Sequence, residues 1–134
     1  MPAGAERLPH MHGRTATKGA RAEVYARKFL ERHGLRYVDR NIRCRFGEID
    51  LVMRSDQLLV FAEVRFRRAR NLISAVESID RNKQRKLAQT ASWYLSRSKR
   101  WQSCAVRFDV VAIDGRSDGQ YALQWIQDAF RPGA

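Results

Sequence analysis

Cysteine, histidine and proline are all scarce in this chain, at two, three and three among 134 residues. Cys44 and Cys104 lie far apart in sequence, so they form neither a disulfide framework nor a zinc-binding pattern. Both fall among apolar residues in strand-like segments and read as buried free thiols. His10 and His12 sit in the N-terminal stretch and His33 at a helix end, none with a companion that completes a metal site. No apolar run approaches the ~18 residues of a membrane span. The N-terminus lacks the apolar core of a secretory signal. The expectation is a cytoplasmic protein with no membrane partner.

Acidic residues are also few. Fourteen Asp and Glu face 26 Lys and Arg, a net charge of +12. Most of the basic residues are arginine, the side chain best shaped for bidentate phosphate contact. A balance this basic points to an anionic polymer, nucleic acid before acidic lipid. Neither helix pairs a broad apolar face with a purely basic one, which argues against a membrane surface. The length suits one domain of ~100–150 residues.

Residues 1–17 show no periodicity and read as a flexible basic arm. A single domain is expected over 18–130, with a short tail at 131–134. Lys18 to His33 is helical in pattern, with Ala20, Val24, Ala26, Phe29 and Leu30 on or near one stripe and Gly34 as its cap. Three strands are expected at Tyr37–Ile42, Glu48–Arg54 and Leu58–Arg67. A second helix starts at Ser74, which with Glu77 spells a capping box, or at Asp80, and runs to about Arg97. Strands at Ala105–Ile113 and Gln120–Ile126 complete the order αβββαββ. A strand-helix-strand crossover makes its two strands parallel. The class is α/β, a mixed sheet flanked by helices.

The hairpin of the second and third strands carries the chemistry. If Asp56 and Gln57 are its loop, Ser55 pairs with Leu58 and Asp50 falls opposite Glu63. Opposed residues share a face with Cβ atoms ~4.5–5.5 Å apart. Glu48 and Arg65 fall on the same face. Two carboxylates this close need a positive partner, either Arg65 or a divalent ion such as Mg²⁺, which takes carboxylate oxygens, water and phosphate. The alternative is a salt-bridged strand face with Glu63–Arg65 as a plain ion pair.

Several ordered motifs then carry a resemblance: Gly47-Glu48-Ile49-Asp50-Leu51-Val52, Phe61-Ala62-Glu63-Val64-Arg65, Lys83-Gln84, Arg107-Phe108-Asp109-Val110-Val111 and Trp125-Ile126-Gln127-Asp128-Ala129-Phe130. Over about residues 17–130 the chain resembles the YraN or UPF0102 family, regarded as distant kin of archaeal Holliday-junction resolvases in the restriction-endonuclease-like superfamily. The resemblance implies that fold and a nuclease-type site. Asp50 matches the first acid of the superfamily pattern and Glu63 the second. Glu23 matches the acid on the first helix, and Lys83 and Gln84 the polar positions on the next helix. It implies Mg²⁺ or Mn²⁺ on Asp50 and Glu63, with Glu23 assisting. Arg65 stands where the pattern has lysine. Arginine keeps the charge but cannot release its proton, so Arg65 is expected to steady phosphate charge.

Basic clusters flank these motifs. Arg43 and Arg45, Arg67 and Arg68, and Lys83 with Gln84 are the expected nucleic-acid contacts. Cations at a helix start oppose its dipole, which makes an anionic partner the better explanation of the third cluster. Trp93, Tyr94 and Trp101 are either half-buried packing residues or stacking platforms for unpaired bases. The expectation is a metal-dependent endonuclease on branched or duplex DNA. The alternative is a non-catalytic module binding DNA or structured RNA with a relic site. A homodimer would suit a four-way junction.

Overall fold

The computed structural model of the chain describes residues 6–8, 18–67, 76–115 and 121–132. Helix α1 spans Lys18–Arg32 and buries Ala22, Ala26, Phe29 and Leu30. The buried stripe runs back from Ala26 to Ala22. Ala20 and Val24 are exposed, because offsets of six and two residues from Ala26 point far round a helix of 3.6 residues per turn. The helix ends where Leu35 N donates to Leu30 O at 3.1 Å across Gly34, whose φ is 96°. No atom lies within 4 Å of a Cβ built on Gly34. Gly34→Ala is therefore expected to cost about 1 kcal/mol through backbone strain alone, measurable by urea unfolding.

Strands β2 (Arg36–Cys44), β3 (Gly47–Ser55) and β4 (Leu58–Arg67) form an antiparallel meander. Helix α2 (Arg81–Ser96) follows, with Asp80 as its N-cap accepting from Lys83 N at 2.8 Å. Ser74, the other candidate start, lies outside the described residues. Strands β5 (Ala105–Gly115) and β6 (Tyr121–Ile126) complete the domain. The sequence reading assigns no strand within 1–17, yet Glu6–Leu8 forms a short strand, β1, paired antiparallel with β6. The sheet order is β1-β6-β5-β4-β3-β2, with β4–β5 parallel and the other pairs antiparallel.

The α/β order αβββαββ is thus present, with β1 added at one edge. The alternation of the strands builds two cores. Leu51, Met53, Val60, Ala62, Val111 and Ile113 pack with α1 on one face. Val52, Leu59, Phe61, Val110 and Ala112 pack with Leu87 and Ala91 of α2 on the other. All four residues from Val110 to Ile113 are buried, as a strand covered on both faces requires. Phe130 closes the second core, stacked on Phe108 with ring centroids 5.4 Å apart. The cysteines are free and only half-buried: Cys44 at the end of β2, Cys104 just before β5.

Candidate active site

Asp56 and Gln57 form the β3–β4 turn, Ser55 pairs with Leu58, and the register runs back to Leu51 opposite Ala62. Asp56 takes a φ of 50°, a left-handed conformation that aspartate tolerates, so the turn closes without glycine. One rung further, Asp50 and Glu63 face each other, and there the β3–β4 ladder stops. Strand β3 stays paired with β2 and β4 with β5 on both sides of this point, and only the ladder between β3 and β4 ends. The sheet forks, and the two acids stand in the fork. Asp50 Oδ2 accepts a 2.8 Å hydrogen bond from Val64 N, satisfying a backbone donor that the interrupted ladder leaves over.

Glu63 is 6% exposed. Its carboxyl is hydrogen-bonded to that of Asp50, and its pKa is pushed up to about 7. Burial contributes most, followed by the Asp50 charge and the hydrogen bond to it. Lys83 and Arg65 pull the other way. Both cations reach the same oxygen, Glu63 Oε2, at 3.4 Å for Lys83 Nζ and 3.2 Å for Arg65 Nη2. Lys83 arrives from the first turn of α2, which Asp80 caps.

Glu23 approaches from α1. Its pKa is also raised, by burial first and then by the charges of Asp50 and Glu48, against Arg40 and a hydrogen bond from Asn41. With its amide nitrogen turned toward Glu23, Asn41 donates at 3.0 and 3.3 Å. Glu48 pairs with exposed Arg43 at 3.2 Å and does not join the acid pair directly.

The donor set bears on a metal. Among the described residues no group of three or more His, Cys, Asp or Glu is placed to hold an ion. Asp50 and Glu63 are thus the protein donors the fork offers. Mg²⁺ commonly takes one or two carboxylates and completes its shell with water and phosphate, so this oxygen-only pair fits. The raised Glu63 pKa records burial first and then repulsion from Asp50, and a divalent cation would offset both by favouring the ionised form.

Beside the fork lies a basic groove of about 510 Å³ lined by Arg43, Arg45, Lys83 and Lys86, with Phe46 and Gly47. Gly47 starts β3 at a φ of 151°, a backbone conformation that side chains rarely adopt, while a Cβ there would make only ordinary contact with Thr90 Oγ1 at 3.4 Å. Of the expected nucleic-acid contacts, Arg43, Arg45 and Lys83 share this groove. Gln84 turns elsewhere and donates from Nε2 to Ile79 O at 3.0 Å. Arg67 belongs to β4, but its side chain and the whole of Arg68 lie outside the described residues.

The sequence reading missed what Asp109 does. Fully buried, it accepts from Arg107 Nε and Nη2 at 2.8 Å each, from Trp125 Nε1 at 2.9 Å and from Asp128 N at 2.9 Å. This network ties β5 to β6 and to the C-terminal turn. The available signal was Arg107, two residues away and so on the same strand face as Asp109.

The family model described as "Uncharacterised protein family UPF0102" matches residues 22–113, which include Glu23, Asp50, Glu63 and Lys83. The chain is similar to a UPF0102 protein of Nitrosospira multiformis, 49% identical over 84% of this chain and 92% of that one. A UPF0102 protein of Xylella fastidiosa is 47% identical over 84% of this chain and 91% of its own length. One from Pseudomonas fluorescens is 42% identical over 90% of this chain and 98% of its own.

Proposed function

We propose, from the premise that this chain belongs to the UPF0102 family, that it binds branched or duplex DNA in the basic groove and hydrolyses a phosphodiester at the forked sheet. The observation that carries this reading is the hydrogen-bonded pair of buried Glu63 and half-buried Asp50, which meets the basic groove through Lys83. Burying a carboxyl beside a second one is costly to a fold, and such costs concentrate at functional sites.

Asp50 and Glu63 are the residues that would hold Mg²⁺ or Mn²⁺. The ion supplies a strong nucleophile at neutral pH and neutralises charge on phosphoryl oxygen. Glu63 has to release its proton to take part, and a cation between the two carboxylates favours that release. Arg65 keeps its charge throughout and steadies the phosphate. Lys83, on the groove side of the same carboxylate, orients the scissile phosphate. Glu23, with its raised pKa, relays a proton through water from the α1 side.

The test is a panel of flaps, four-way junctions, duplexes and single strands incubated with Mg²⁺ or Mn²⁺. Wild type is expected to cut at least one class, and Asp50→Ala to lose on the order of 100-fold or more in rate while still binding. A second reading takes the protein as a binding module for DNA or structured RNA that does not cut. It draws on the two cations already on Glu63 Oε2, which compensate the pair without a metal. Uncut substrates across the panel, with equal binding by wild type and Asp50→Ala, decide for that second reading.

A further inference from the structure

A second, larger trough of about 790 Å³ runs over the outer face of α2. Arg81, Arg85, Ala88, Ser92 and Trp93 line it at helical spacing, and Phe46 joins from the β2–β3 turn. Three features set its chemistry. No acidic residue lines it among the described residues, while arginines stand on the first turns of the helix. Ala88 and Ser92 are small, and Gln84, Gln89 and Ser96 add neutral hydrogen-bonding groups between the arginines and Trp93. Its aromatic rings each carry a guanidinium: Arg97 lies 4.7 Å from the Trp93 ring centroid and Arg45 lies 4.8 Å from that of Phe46.

Phe46 also lines the basic groove beside the acid pair. The two depressions therefore adjoin at Phe46, their shared wall, with Lys83 and its Glu63 partner on one side and Trp93 on the other. Duplex DNA offers its bases edge-on and stacked, so it cannot use rings on a helix face. Unpaired bases can stack on such rings while their phosphates meet arginine, the usual way of holding single strands.

We propose that this trough seats a single-stranded DNA segment, so that the substrate class is DNA with an unpaired branch leaving the paired region at the acid site. This rests on the DNA-binding reading above and goes beyond it in naming what the α2 face holds. Trp93 and Phe46 stack bases, and Arg81 and Arg85 contact phosphates.

Fluorescence anisotropy with labelled blunt duplex, and with the same duplex bearing a tail of about ten nucleotides, tests it without any need for cleavage. The tailed duplex is expected to bind about tenfold tighter, the worth of one or two stacked bases. Ser92→Glu, an exposed position that puts charge into the trough, removes that preference and leaves blunt-duplex binding in place. Trp93→Ala does the same, and Trp93→Phe restores it. Lys86→Glu, in the basic groove, weakens both ligands alike.

Equal binding of tailed and blunt duplex, or a tail preference that survives Ser92→Glu, overturns the trough assignment. The DNA-binding reading stands in that case so long as Lys86→Glu still weakens both. An RNA tail of the same sequence outcompeting the DNA tail overturns the choice of DNA. Failure of wild type to bind any of these ligands at low salt sinks both readings together.

Discussion

Glu63→Gln is expected to make the protein more stable at about pH 8, by roughly 2–3 kcal/mol beyond any difference seen near pH 5. The folded-state pKa of Glu63 is raised from 4.5 to about 7. The native state therefore holds a proton that the unfolded chain releases at the ordinary carboxylate value of 4.5. Between those two values the unfolded state binds fewer protons than the native one, so stability falls as pH rises through the window. Above it wild type carries the full cost of an ionised, buried Glu63 beside the Asp50 carboxylate. Glutamine keeps the shape and removes the charge. Arg65 and Lys83 lose an anionic partner, but both are about one-third exposed and water replaces much of that loss.

Urea unfolding of both proteins near pH 5 and pH 8 reads this directly. Parallel pH profiles would show that Glu63 titrates normally. Under the proposed function, added Mg²⁺ stabilises wild type at the higher pH and leaves Glu63→Gln unmoved, since a ligand raises stability only where it binds the native state. Greater stability and lost cleavage would then come from the same substitution.

The second large effect is expected at Asp109. Asp109→Ala removes four hydrogen bonds at once and leaves the Trp125 indole N–H and the Arg107 guanidinium without their partner. Breaking a buried charged pair from one side costs about 3–5 kcal/mol, a large share of a small domain's total. Asp109→Asn keeps one acceptor oxygen and should lose less. Thermal and urea unfolding separate the two variants. Loss of less than about 1 kcal/mol in Asp109→Ala would mean that solvent already serves these groups. Asp109 lies outside the fork, so blunt-duplex binding by the folded fraction should be unchanged.

The acid pair was legible in the sequence because one count decides it. A two-residue loop at Asp56-Gln57 fixes every partner in the hairpin, and a slip by one would have put the acids on opposite faces. The paired helices and the buried β5 were legible from periodicity. The fork was not. Residues 63–67 continue the strand pattern unbroken because β5, distant in sequence, keeps them extended after the ladder to β3 has ended at Leu51 and Ala62. Lys83 could be named as a polar helix residue, but its reach to Glu63 depends on how α2 packs on the sheet through Leu87 and Ala91, contacts between segments distant in sequence. Gln84 looked equivalent to its neighbour. One step round the helix turned its amide to the Ile79 carbonyl instead. Strand β1 is three residues long with no alternation to read, and its partner β6 lies at the other end of the chain.

The fork also bears on the order in which the molecule is made. The β3–β4 hairpin can close as soon as Ser55 and Leu58 have emerged, yet its ladder ends at Leu51 and Ala62. Glu63 and the residues after it gain their neighbour only when β5 docks, with Glu63 against Val110. A nascent chain that stops short of β5 already contains every acid of the site, but half of the site hangs from an unsupported strand. The hairpin can bring the two acids level on its own, but the far side of Glu63 is closed only in the finished sheet, so its burial comes last.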